Sequence, residues 1–279
     1  MRHLVLILSF FAYISVQAQQ ITCSQKDRAA VVSKLVEIDG MFQDDIGATM
    51  VSVGKTFMKT PYVAKTLEIG DKETLVVNLQ GLDCTTFVEN VLAFSLLLRQ
   101  LEMSFDAYLK NLEIIRYKDG SLNGYASRLH YFSEWIANNA EKGLLKDITG
   151  EIGGAAITKD INFMSTHRDL YPFLADDVNF SKIKASENYL NSQAICVLPQ
   201  DDIAANEHLI QTGDIIALAT SINGLDVTHT GIATREKDGR IHLLHASTGS
   251  MEVEVSKKPL ADYLKGIKSN TGIMVARPL

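Results

Sequence analysis

The sequence predicts an α+β fold, and three observations carry that expectation. Apolar residues recur at helical spacing through the first half of the chain. In the last quarter they fall into short runs separated by turn residues. No linker, repeat or low-complexity stretch divides the two regimes, so a single domain with helices first and an antiparallel meander afterwards is the simplest arrangement.

Taken in order, residues 1–18, "MRHLVLILSFFAYISVQA", read as a signal peptide: a basic start, an apolar stretch from Leu4 to Val16, and small residues at cleavage spacing. The apolar stretch is short for a membrane span. "QITC" around Cys23 lacks the small residues expected before a lipid-bearing cysteine, so no stable membrane anchor is expected. Removing the segment takes away Arg2 and no acid, moving the net charge from -6 to -7. An acidic chain without a basic run argues against nucleic acid as a partner. The mature domain is then 19–279, exported and periplasmic.

Residues 26–46 carry Ala30, Val31, Leu35 and Ile38 at amphipathic spacing, and "GATMVSVGKTFM" continues helical until Pro61 stops it. "TLVVNL" (74–79) reads as a short strand. A well-buried helix follows from Cys84 to Gln100, with Phe87, Val88, Val91, Leu92, Leu96 and Leu98 apolar. Residues 103–192 form a mainly helical insertion, in which Ser104 caps "FDAYLKNLEIIRY" and "SRLHYFSEWIANNAEKG" makes another helix ending at Gly143. "GDIIALAT", "DVTHTGIAT", "RIHLLHAS", "MEVEV" and "TGIMVARPL" are strands, with a short helix in "KPLADYLKG".

Three cysteines bear on chemistry. In an oxidising compartment Cys23 and Cys196 could bridge, leaving Cys84 over. No CxxC or clustered Cys/His spacing is present, so neither a structural zinc nor any other cofactor is expected. Cys84 follows Gly81 and Asp83 in "QGLDCTTFVEN" and opens a helix. Unpaired N–H groups and the helix dipole there favour a thiolate and should lower the thiol pKa. The alternative is an inert thiol filling the core.

A nucleophile needs a base, sought among seven histidines. "DVTHTGIATR" and "GRIHLLHAS" form a hairpin turning at "EKDG". A loop centred on Lys237 sets His229 directly opposite His245, close enough for one imidazole to orient the other. His242 points to the other face.

"LDCTTFVE", "GDIIAL", "THTGIA" and "LLHAS", in that order, resemble the NlpC-type cysteine hydrolases of bacterial cell walls. The resemblance implies a papain-like core, a cysteine-bearing helix packed on an antiparallel sheet. It makes Cys84 the nucleophile, His229 the base and His245 the orienting residue. Thr85 departs from the serine that many members carry after the cysteine. "TPYVAKTLE", "NLQGLDCTTFVENVLA", "YKDGSLNGYASRLHYFSEWI" and "FMSTHRDLYP" resemble more closely a branch once catalogued as a domain of unknown function and similar to N-acetylmuramoyl-L-alanine amidases. That branch implies peptidoglycan fragments as partner: muramyl peptides, with the 1,6-anhydro sugar among the forms to consider, cut between the lactyl group and L-alanine. A D-glutamyl–diamino acid endopeptidase of the same mechanism, or a non-catalytic peptidoglycan-binding module, are the alternatives. Substrate contacts are expected from Asp83, Thr85, Tyr125, Ser127, Arg128 and Tyr131. Arg128 could grip a carboxylate with its planar fork, or only pair with Glu134 or another acid. Tyr131, Phe132 and Trp135 fall at helical spacing and could equally be core. His167 and Arg168 either line the cleft or sit in a solvated loop.

Overall fold

Short polar side chains start most of the long helices, and this is where sequence writes the fold most directly. Ser24, Asp45, Asp83, Ser104 and Asp176 each accept a backbone N–H from the first turn that follows. The computed structural model describes residues 21–279; the expected signal segment lies outside them. Strand β1 (Ile21–Cys23) precedes helices α1 (Gln25–Ile38) and α2 (Ile46–Lys55). Strand β2 (Leu75–Val77) leads to α3 (Cys84–Gln100), α4 (Phe105–Arg116) and α5 (Phe132–Glu141). Then come β3 (Leu145–Asp147), β4 (Ala155–Ile157), α6 (Phe163–Thr166), α7 (Asp177–Asn191), β5 (Ile195–Pro199) and α8 (Ile203–Asn206). The tail holds β6 (Ile215–Thr220), β7 (Val227–Arg235), β8 (Ile241–Ser247), β9 (Glu252–Val255), α9 (Leu260–Leu264) and β10 (Asn270–Pro278).

The fold is α+β. An antiparallel sheet runs in the order β4-β5-β10-β6-β7-β8-β9, with β3 also on β10, while β1 and β2 make a small parallel pair. The last strand of the chain thus sits inside the sheet. One sheet face packs Ala217, Ile232, Leu244 and Val253 against α3 residues such as Phe87 and Val91. The other packs Leu218, Ala233 and Leu243 against Leu260 and Leu264 of α9.

Three expectations are corrected. The helix expected over 26–46 ends at Ile38, where Met41 N–H turns back to the Ile38 carbonyl, and α2 starts only after Asp45 caps it. The helix expected from Ser127 starts at Phe132, because Leu129 N–H bonds the Arg116 carbonyl and Arg128 forms a bridge with Tyr117. Extended pairing has replaced the first turn. Consequently Tyr131 falls in a different core cluster from Phe132 and Trp135, whose rings stack at 4.7 Å. Finally, all three cysteines are free: Cys23 lies on the two-stranded sheet and Cys196 on the large one.

A buried ion pair ties the cysteine-bearing helix to its surroundings. Arg116 Nε lies 2.7 Å from Glu89 Oε2, and its Nη1 donates to the Val76 carbonyl, so α4, α3 and β2 meet at one guanidinium. Both side chains are 2% exposed. Arg116→Met should therefore strand the Glu89 charge and cost about 3–5 kcal/mol, read as a lower urea midpoint. Adding Glu89→Leu should recover much of that loss.

Candidate functional site

The site begins with the start of α3. Asp83 Oδ1 accepts the Thr86 N–H at 2.8 Å, and Thr86 Oγ1 accepts the Asp83 N–H at 2.9 Å, a reciprocal capping box. This fixes Cys84 as the first helical residue, half-buried. The expected lowering of its thiol pKa is not found. Burial, reinforced by the Asp83 carboxylate, pushes the thiol up to about 11, against opposing hydrogen bonds from the Thr230 backbone and from Thr85. Cys84 rests as a thiol.

His229 stands opposite Leu218, whereas two residues earlier Val227 stands opposite Ala219. The extra residue, Thr228, is a bulge in β7, a device that re-aims neighbouring side chains. His229 Nε2 and His245 Nδ1 are 2.7 Å apart, with the rings nearly perpendicular at 85°. The register differs from the expected one. Arg235 pairs with Ile241 and Ile232 with Leu244, because the loop closes on Gly239 at φ +77° and is centred on Asp238 instead of Lys237. The histidines are therefore diagonal neighbours. Shifting both strands by one residue each keeps them on the same face, which is why the pair survives the slip.

Gly231 takes the place opposite His245. A Cβ there would lie 2.9 Å from His245 Cβ and from the Leu243 side chain, so only glycine leaves the imidazole its position. Burial lowers His229 to about 4; burial and then the His229 charge lower His245 to about 3. Both rings are neutral near pH 7. His242 is engaged elsewhere, by the Ser256 carbonyl and Asp238.

Cys84 and His229 line one cleft of about 140 Å³ together with Thr85, Tyr131, Tyr171 and Asp226. An adjoining pocket of about 200 Å³ shares Thr85, His130 and Tyr171 and adds Asp83, Arg128 and Glu68. A larger hollow of about 640 Å³ between α5 and α7 contains Cys196 but no histidine in its lining, so it lacks a nucleophile–base pair. Among the described residues no group of three or more His, Cys, Asp or Glu side chains could hold a metal ion.

The other expected contacts are distributed as follows. Arg128 is buried, its Nη2 2.5 Å from Glu68 Oε1 and its Nε 3.1 Å from Glu73 Oε1; Glu134 pairs instead with Lys118. Tyr131 faces the first cleft, with its hydroxyl donating to Glu187 and accepting the Met164 N–H. Tyr125 is buried between His130 and Phe173 and borders neither cleft, and Ser127 closes a turn with Asn123 and Gly124. His167 is exposed beside α6 and Arg168 pairs with Asp177, both outside the clefts. Sequence reasoning missed Tyr62. Burial, followed by the Cys84 and Asp83 charges, raises its phenol to about 12, although it borders neither cleft. Its segment bridges the approach to α3 and the edge of the sheet: Tyr62 N–H bonds the Met251 carbonyl and Val63 N–H the Leu82 carbonyl. Asp226 was also missed; the Ser133 and Val227 N–H groups occupy its two oxygens.

Residues 52–273 match the N-acetylmuramoyl-L-alanine amidase-like family. The chain belongs to that family. It is 42% identical to an N-acetylmuramoyl-L-alanine amidase from Bacteroides uniformis, over 84% of this chain and 99% of that one, with a TM-score of 0.80. A Bacteroides fragilis protein provisionally named a xylanase is 43% identical over 80% and 98% of the two chains, with a TM-score of 0.76. A Legionella pneumophila protein at 20% identity, with a TM-score of 0.68 over 91% and 95%, shares the fold. No match was found among curated proteins. Membership supports a cell-wall, amidase-like hydrolytic function, acting outside the cytoplasm. Among the described residues no helix is long and apolar enough to cross a membrane.

Two outcomes follow for this amidase-like site. A thiol held up to about 11 should be alkylated by iodoacetamide at a rate that keeps rising with pH from neutrality to about 10, without the early plateau of a preformed thiolate. Gly231→Ala should displace His245 and lower kcat by roughly 100-fold, the scale of a 1 Å misplacement, in a protein that still folds.

Proposed function

We propose that this chain is an exported cysteine amidase, cleaving the amide between N-acetylmuramic acid and L-alanine of muramyl peptides. The observation that carries the reading is a thiol at a helix start sharing a cleft with an imidazole that a second imidazole orients. Residues 19–279 act as one catalytic unit, with about 103–192 as the insertion that shapes specificity. Residues 1–18 direct export to the periplasm.

His229 Nε2 is committed to His245, so Nδ1 is the nitrogen left to face the thiol. It takes the proton of Cys84 as sulfur attacks the lactyl carbonyl carbon. Because thiol and imidazole are both neutral at rest, proton transfer accompanies attack instead of preceding it. The Cys84 backbone N–H, in the first turn of the helix, donates to the developing oxyanion. The imidazolium then protonates the nitrogen of L-alanine, which leaves as the peptide amine. The muramoyl thioester on Cys84 is hydrolysed by water that His229 deprotonates, and the thiol is restored.

Asp83 serves chiefly as the helix cap, with Thr85 and Tyr131 at the cleft wall as substrate contacts. Arg128, already held by two glutamates, presents a fixed donor face to the adjoining pocket. Tyr125, packed against His130 and the Arg128 guanidinium, supports that wall, and Ser127 closes the turn just before Arg128. A glycosidase reading, prompted by the name of one relative, needs two carboxylates free to flank a glycosidic bond. In the cleft both Asp226 oxygens are already engaged by backbone donors, which favours the thiol chemistry.

A defined muramyl tetrapeptide decides between bonds: the sugar acid plus intact peptide supports the amidase reading, and a muramyl dipeptide product points to the endopeptidase. Cys84→Ala and His229→Ala should each reduce kcat/KM by at least about 10³-fold without unfolding the protein. Full activity in Cys84→Ala would sink the mechanism.

A further inference from the structure

The histidine pair poses a tautomer problem. For His229 to act as a base through Nδ1, its own proton must sit on Nε2 and be donated to His245 Nδ1. His245 must then carry its proton on Nε2. That nitrogen is buried and has no hydrogen-bond partner among the described residues. The other tautomer would bond just as well between the rings. It would, however, place the His229 proton on Nδ1 and leave no lone pair for the thiol. A buried N–H without an acceptor is the costlier choice unless something compensates.

Two side chains pack around His245 in a position to do so. The Tyr263 ring, on α9, lies 5.6 Å away at 69°, an edge-to-face arrangement. Glu254, on β9, stands directly opposite His245 across the strand pair, so both side chains project from the same sheet face. Glu254 also acts on Tyr263, whose phenol is raised by burial and then by that carboxylate, so the two are neighbours. Neither lines the catalytic cleft.

We propose that Tyr263 and Glu254 are positioning residues that hold His245 as its Nε2–H tautomer. The aromatic ring accepts the buried N–H, and the carboxylate stabilises the partial positive charge on that side of the imidazole. His245 thereby stays an acceptor toward His229, and His229 stays a base. The inference rests on the Cys-His-His reading of the site given above.

The test reads the tautomer directly and needs no substrate. In 15N-labelled protein at neutral pH, two-bond imidazole correlations should show His245 protonated at Nε2. Glu254→Gln and Tyr263→Leu should each shift population to the Nδ1–H form and lower kcat by about 10-fold or more, with KM changed by less than about twofold. Tyr263→Phe, which keeps the ring, should behave as wild type. Wild-type His245 protonated at Nδ1, or both substitutions leaving tautomer and kcat unchanged, would overturn the proposal. If Tyr263→Leu does not fold, Glu254→Gln decides by the same readouts. Undiminished activity in Cys84→Ala would instead remove the thiol reading, and the tautomer spectrum would still stand on its own.

Discussion

Two neutral imidazoles joined by one short hydrogen bond set the terms for the rest of this site. Burial holds His229 to about 4 and His245 to about 3, so neither ring is charged when the protein is at rest. A neutral ring can donate through only one nitrogen, and the shared bond makes the two tautomers interdependent. Much of the nearby architecture reads as accommodation of this pair. Gly231 leaves room for His245, the bulge at Thr228 turns His229, and α9 closes over the face that both occupy. The enclosure that keeps the rings neutral also raises the cysteine.

A helix start alone would favour a thiolate, but its field acts together with local solvation and charge. At Cys84 burial and the neighbouring Asp83 outweigh the donors that favour the anion. Asp83 is nonetheless required, because the capping box that positions Cys84 is built on it. Position and acidity thus pull in opposite directions at one residue. The outcome is a neutral thiol, which under the proposed mechanism depends on His229 to take its proton. The close Bacteroides relatives and the more distant Legionella protein share this scaffold over nearly their whole lengths.

Legibility varied with the range of the interaction. The helix from Cys84 to Gln100 and the cap at Ser104 could be read from residues, because caps and apolar stripes act within one or two turns. The five late strands were equally legible. The start of α5 was not: Arg128 and Leu129 pair with Tyr117 and Arg116, a contact between segments about a dozen residues apart. Arg128 itself was singled out for its fork, yet its partners, Glu68 and Glu73, lie in a loop that no local pattern connects to it. Tyr62 was invisible for the same reason, since backbone bonds from its segment to Leu82 and Met251, both far along the chain, set its place.

By itself the sequence determined the α+β class, the residue that opens α3, and a hairpin with both histidines on one face. These depend on local caps and on alternation, which survive a shift of register. The tertiary structure decided the rest: the diagonal pairing of His229 with His245, the protonation states of thiol and imidazoles, and the burial of Tyr125 and Arg128. Those follow from desolvation and from contacts between segments far apart in the chain, and neither quantity is written in any short stretch of residues.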